Sequence, residues 1–125
     1  MTMINRFEDI QAWQKARELV KELYCVTKEN EHFRSDFSLQ YQIRRASISI
    51  VSNIAEGYSR QTDREFIQFL YIAKGSATEV QSQLYIALDL KYISQSTFDK
   101  LLGLTEEVIK LISGFIRYLK KETDQ

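Results

Sequence analysis

Proline is absent from this 125-residue chain, glycine occurs four times, and cysteine and histidine once each. Each shortage excludes something. The residues that break a helical ladder are nearly missing, which suits long helices. The lone Cys25 permits neither a disulfide within the chain nor a cysteine-based zinc site, and His32 sits in a polar stretch beside Glu31, where a histidine is ordinarily solvated. Net charge is lacking too, with 17 basic residues against 17 acidic ones. Coating nucleic acid by bulk charge needs a clustered excess of cations, so only a local patch is open to this chain. The longest apolar runs, Phe69–Ala73 and Leu84–Leu88, fall far short of the roughly 20 residues a membrane span needs. Met1–Glu8 has no apolar core of signal-peptide length. The expectation is a cytoplasmic protein with no membrane partner.

What is present is ordinary for a folded chain: 44% apolar and 27% charged residues, in a length that suits one domain over 1–125. Apolar residues recur with a period of 3.6 throughout. The first segment, about 7–28, places Trp13, Ala16, Val20, Leu23, Tyr24 and Thr27 on one side. The polar stretch 29–38 carries the turn formers Asn30, Ser35 and Asp36 and reads as a connection. A second segment, about 39–58, aligns Leu39, Ile43, Ala46, Ile50 and Ile54. The third, about 62–90, opens on Thr62-Asp63-Arg64-Glu65, a capping box in which hydroxyl and carboxylate each satisfy a free amide. Its stripe runs Phe66, Phe69, Leu70, Ala73, Ala77, Val80, Leu84, Ala87 and Leu88. The fourth, about 94–121, starts at Ser94 and aligns Phe98, Leu101, Leu102, Thr105, Val108, Ile109, Ile112, Ile116 and Leu119. The short connections Ser59–Gln61 and Lys91–Ser94 favour antiparallel neighbours. The fold class is therefore all-α, an antiparallel up-down-up-down four-helix bundle. Trp13, Ile43, Ile50, Ile54, Phe66, Leu70, Leu84, Val108 and Ile112 are the expected core.

Two helices carry more apolar surface than one core needs. Ile48, Val51 and Ala55 lie off the core face of the second segment, and Leu104, Leu111, Phe115 and Tyr118 form a second strip on the fourth. These seven are the candidate oligomer interface; the alternative is a bundle whose helices are buried over a wide arc. The remaining face of the second segment mixes short hydroxyls with charge. Gln42, Arg45, Asn53 and Glu56, with Glu79 on the next helix, form a candidate polar network across helices or subunits, in which Arg45 can grip a carboxylate with two bonds. Arg44, Arg45, Arg60, Arg64 and Lys74 lie close in sequence and are the candidate nucleic-acid contacts.

Catalytic equipment is thin. Neither a phosphate loop nor a dinucleotide fingerprint occurs, and Gly75-Ser76 reads as a site of close helix packing. Glu56 and Glu79 lack the Glu-x-x-His motifs that ferritin-like metal sites use. No enzyme activity, catalytic residue, cofactor or metal is expected.

The stretch from Gln42 to Gly57, QIRRASISIVSNIAEG, followed by Glu65-Phe66, Phe69-Leu70, Ala73-Lys74-Gly75-Ser76 and Glu79, resembles the four-helix-bundle proteins encoded in intervening sequences of bacterial 23S ribosomal RNA genes. Phe7, Trp13, Ala16 and Gly114-Phe115-Ile116 fit the same pattern. Many members carry proline where this chain has Val51, and valine lets the helix run on with its amide bonded. That family is similar to the accessory variability protein of diversity-generating retroelements. The resemblance implies an antiparallel bundle assembling into a ring, typically a homopentamer. It also implies, through the retroelement relatives, binding of nucleic acid and a reverse transcriptase by a basic surface. Some members carry a ribosomal label from genomic location alone. The sequence leaves two functions side by side: an oligomeric scaffold for a protein or RNA partner, and a ring that binds RNA or DNA as accessory to a reverse transcriptase or an RNA-processing system.

Overall fold

The computed structural model describes residues 4–123, and no strand occurs among them. A 3-10 turn, Phe7–Asp9, leads into α1 (Gln11–Glu29), α2 (Glu31–Ser35), α3 (Phe37–Tyr58), α4 (Asp63–Asp89) and α5 (Gln95–Thr123). The four long helices form where the apolar period places them. They pack as a bundle, with α1 against α3 and α5, α3 against α4, and α4 against α5. No helix among the described residues is long and apolar enough to cross a membrane.

Local chemistry sets the helix ends. Thr62 Oγ1 accepts the Glu65 amide at 3.2 Å and starts α4. The second half of the expected capping box differs: the Glu65 carboxylate takes the Thr62 hydroxyl at 3.3 Å rather than a backbone amide. Ser94 Oγ accepts the Thr97 amide at 3.1 Å ahead of α5. At the end of α4, Lys91 adopts φ 63°, the Lys91 amide donates to the Leu88 carbonyl and the Tyr92 amide donates to the Ala87 carbonyl, each at 2.9 Å. This is the paired closure of a left-handed helix cap, with lysine where glycine is usual.

The polar stretch 29–38 is not simply a connection. Asn30 Oδ1 accepts the Phe33 amide at 2.8 Å and caps the five-residue α2. Phe33 is fully buried, with its ring 5.3 Å from that of Tyr92. A single aromatic among polar neighbours suffices to pin the segment to the core. Asp36 then serves two elements: Oδ1 accepts the Leu39 amide at 3.1 Å and Oδ2 accepts the Tyr92 hydroxyl at 2.9 Å. The α2–α3 junction is thereby tied to the α4–α5 turn.

Of the nine expected core residues, Ile43, Ile50, Ile54, Phe66, Leu70, Leu84, Val108 and Ile112 are buried. Trp13 is only half-buried, edge-on to Phe7 at 5.2 Å with Arg17 over its ring. The face of α1 is rotated from expectation. Ala12 and Leu19 point inward, while Tyr24 is exposed beneath the Arg44 guanidinium, 4.3 Å from its ring centre. Aromatic side chains with a polar edge suit the border of a helix face, and counting them as core turned the stripe.

Candidate functional site

The five polar-network candidates do not meet within one chain. Gln42 donates to Ser38 Oγ at 3.1 Å, along its own helix. Asn53 donates to the Ser49 carbonyl at 2.8 Å and to Ser49 Oγ at 3.0 Å. Ser49 Oγ in turn shares a hydrogen bond with Ser76 Oγ at 2.9 Å, which links α3 to α4. Glu56 pairs with Arg60 at 2.9 Å, and Glu79 accepts from Gln83 Nε2 at 3.3 Å. Arg45 is exposed and belongs to none of the ion pairs among the described residues.

The nucleic-acid candidates are also dispersed. Arg44 Nε donates to Thr27 Oγ1 at 2.9 Å with its guanidinium over Tyr24. Arg60 is held by Glu56 and lies over Phe69. Arg64 is exposed and Lys74 half-buried. Arg45 lies about 20 Å along α3 from its last residue, Tyr58, at the ordinary helical rise, and Arg60 lies beyond that end, so the five do not form one patch.

The candidate interface divides as well. Ile48 and Tyr118 are exposed, whereas Val51, Leu104, Leu111 and Phe115 are half-buried against the chain's own core and Ala55 is half-buried. Phe115 packs edge-on to Phe66 at 5.3 Å. Each helix of a bundle touches two neighbours, so its apolar arc is wide.

Other apolar side chains stand further out: Phe37 and Tyr41 on α3, Tyr71, Ile72, Tyr85 and Ile86 on α4, and Leu90 just after it. Sequence reasoning passed over them, although the spacing of Ile72, Ile86 and Leu90 repeats one helical azimuth and marks a second stripe. Along the same line lie Gly75, Glu79 and Gln83. Gly75 does not mediate close packing within the chain, since a Cβ built there would meet nothing within 4 Å; the close contact falls to Ser76 instead. Gln83 is only 6% exposed, and its Oε1 is the one buried side-chain polar atom without a partner among the described residues.

Two shallow hollows mark the surface. One, of about 330 Å³, is lined by Tyr24, Gln40, Tyr41, Arg44, Arg45 and Ile48. The other, of about 400 Å³, lies between α1 and α5, where Lys15 bridges Glu18 at 3.3 Å and Glu107 at 3.4 Å. The hydrogen bond to Glu18, and then the charge of Glu107, raise the Lys15 pKa above its ordinary value. A lysine held protonated is a poor nucleophile. No group of three or more metal-ligating side chains comes together among the described residues, and Cys25 is exposed and unpaired.

Among curated proteins no match was found. The chain is similar to a crystal structure of a protein with unknown function from the S23 ribosomal protein family of Bacteroides thetaiotaomicron VPI-5482. That likeness has 26% sequence identity and a TM-score of 0.78, and covers 84% of this chain and 97% of the other. The family model described as 23S rRNA-intervening sequence protein matches residues 8–114. With that match spanning most of its length and the same helical fold in the Bacteroides protein, the chain belongs to the 23S rRNA-intervening sequence protein family.

Proposed function

We propose that this chain is a non-enzymatic, cytoplasmic subunit that assembles with copies of itself into a ring, a homopentamer, which serves as a scaffold for a protein or RNA partner. One observation carries the reading: Ile72, Ile86 and Leu90 are each about half exposed along one side of α4. Single exposed apolar residues are common, but an aligned set is what an interface presents. Ile48 and Tyr41 supply a second apolar face, on α3. Faces on two different helices suit a head-to-tail contact, which closes into a ring when the rotation allows. The number five comes from the family resemblance.

Within the subunit the proposed order is up-down-up-down. The pairs Tyr85–Phe98, Gln81–Thr105 and Phe66–Phe115 descend one helix as they climb the other, and Ser49–Ser76 with Tyr58–Phe66 do the same between α3 and α4. Lys15–Glu107 and Glu22–Lys100 repeat the pattern between α1 and α5.

A second reading, a nucleic-acid-binding ring accessory to a reverse transcriptase or an RNA-processing system, draws on the hollow where Arg44 and Arg45 stand beside Tyr24 and Tyr41. Guanidinium and aromatic groups in alternation suit stacked bases and phosphates. Light scattering coupled to size exclusion tests the first reading: a mass near 14.7 kDa at micromolar concentration overturns it. Binding of structured RNA and duplex DNA across a salt series tests the second, because phosphate contacts give a steep salt slope.

A further inference from the structure

Two features of the α4 stripe have no explanation inside the chain. Ile72 and Ile86 are exposed at 52% and 46%. Gly75 sits in mid-helix, where glycine is less favourable than alanine by about 1 kcal/mol, yet no neighbour in the chain needs the space a Cβ would take. Gly103 is equally unhindered, but it lies among Asp99, Lys100, Glu106 and Glu107 and adjoins no exposed apolar stripe. Around Gly75 both features ask for the same thing, a closely approaching surface that brings apolar area.

We infer that this stripe receives the α3 face of a second copy of the chain, with Arg45 of one copy pairing with Glu79 of the next and Tyr41 and Ile48 packing on the stripe to either side of that pair. The inference rests on the assembling reading above and names the surfaces that meet. Charge complementarity selects the occupant. The stripe from Ile72 to Leu90 offers the exposed Glu79 carboxylate and contains no cation. The α3 face offers Arg45, which is free of ion pairs among the described residues, and the Tyr41 hydroxyl at its side. Two copies of the stripe packed on each other would leave both Glu79 carboxylates without a cation. Stripe against α3 face joins acceptor to donor. Because the two surfaces differ, the contact repeats from copy to copy and suits a closed ring.

The test is charge exchange, read by light-scattering mass on the full chain with circular dichroism as a check on folding. Arg45→Glu and Glu79→Arg should each lower the assembly to a mass of 14.7 kDa with the helical signal unchanged. The double variant Arg45→Glu/Glu79→Arg should restore the unmodified mass, because the pair is rebuilt with reversed polarity. Gly75→Leu should dissociate the assembly without unfolding the subunit. An assembled unmodified chain whose mass neither single variant changes overturns this contact and leaves the assembling reading standing. Single variants that dissociate without rescue in the double variant overturn the pairing. If Arg45→Glu keeps its mass and loses only retention of a structured RNA, the α3 face is a nucleic-acid surface and the inference fails. An unmodified chain of monomer mass removes both this inference and the reading beneath it.

Discussion

Gly57 and Gly103 are both helical, yet opposite outcomes are expected from the same substitution. A Cβ at Gly57 would stand 2.7 Å from Phe69 Cβ and 2.8 Å from Phe66 Cδ1. Phe69 Cβ is anchored to the α4 backbone and cannot swing away, so α3 and α4 must separate. Gly57→Ala should cost about 1–3 kcal/mol, as overpacked sites do. At Gly103 nothing lies within 4 Å, and Gly103→Ala should stabilise by about 0.5–1 kcal/mol through helix propensity alone. Urea midpoints at equal slope check both signs. Tyr92 gives a different single-residue signature. Its hydrogen bond to Asp36, aided by burial and by the Asp36 charge, raises its pKa above the ordinary 10.0. The neutral phenol is the form the fold favours. Its contribution is therefore intact below the unfolded tyrosine pKa and is lost as pH climbs through the raised folded value. In an absorbance titration of tyrosinate, Tyr92→Phe should delete a transition from the alkaline end of the curve. Loss of a transition at the ordinary position instead would show that the Asp36 bond is not made in solution.

Helix ends and faces differ in how far they could be read from the residues. Ser94 and Thr62 were legible as starts because a hydroxyl three residues ahead of a free amide is a local device. The end of α4 was not, since Lys91 occupies a left-handed position at φ 63° that ordinarily calls for glycine. Lys91→Gly should relieve that conformation and stabilise by about 1 kcal/mol, seen as a raised urea midpoint; an unchanged or lowered midpoint would mean that the Lys91 side chain contributes more than its backbone costs. Stripes were legible along α3 and α5 because their inward positions repeat over several turns, as Ile43, Ile50 and Ile54 and as Leu101, Val108, Ile112 and Ile116 do. In α1 the apolar borders Trp13, Val20 and Tyr24 pulled the expected face away from Leu19. Phe33 escaped notice because five residues with one aromatic carry no period. Along α4 the unbroken run Phe69–Ala73 blurs inner and outer faces, and this hid the stripe through Ile72. The polar candidates were legible as residues but not as contacts, because Arg45 and Glu79 find no ion-pair partner in the chain among the described residues.

At the scale of the whole molecule, assembly should be visible in thermal stability as well as in mass. A bundle that keeps Tyr41, Ile48, Ile72, Ile86 and Leu90 outside its own core gains stability when copies cover those side chains, and mass action ties that gain to concentration. For a pentamer that melts directly to unfolded chains, each tenfold rise in concentration stabilises a subunit by four-fifths of RT ln 10, or about 1.1 kcal/mol. At the usual entropy of unfolding for a domain of this length, that is a rise in Tm of roughly 3–6 °C per tenfold. A dimer would show about two-thirds of the shift, and a monomer none. The Arg45→Glu variant separates the intrinsic bundle from the assembly, since its Tm should be lower and flat across the same concentrations while its far-ultraviolet spectrum stays helical. Arg44 is the control. Its guanidinium is committed to Thr27 and Tyr24 within the subunit, so Arg44→Ala should lower Tm at every concentration and keep the slope. A Tm of the unmodified chain that stays constant over a hundredfold concentration range would place all of its stability inside one subunit and leave the α4 stripe without a partner of its own kind.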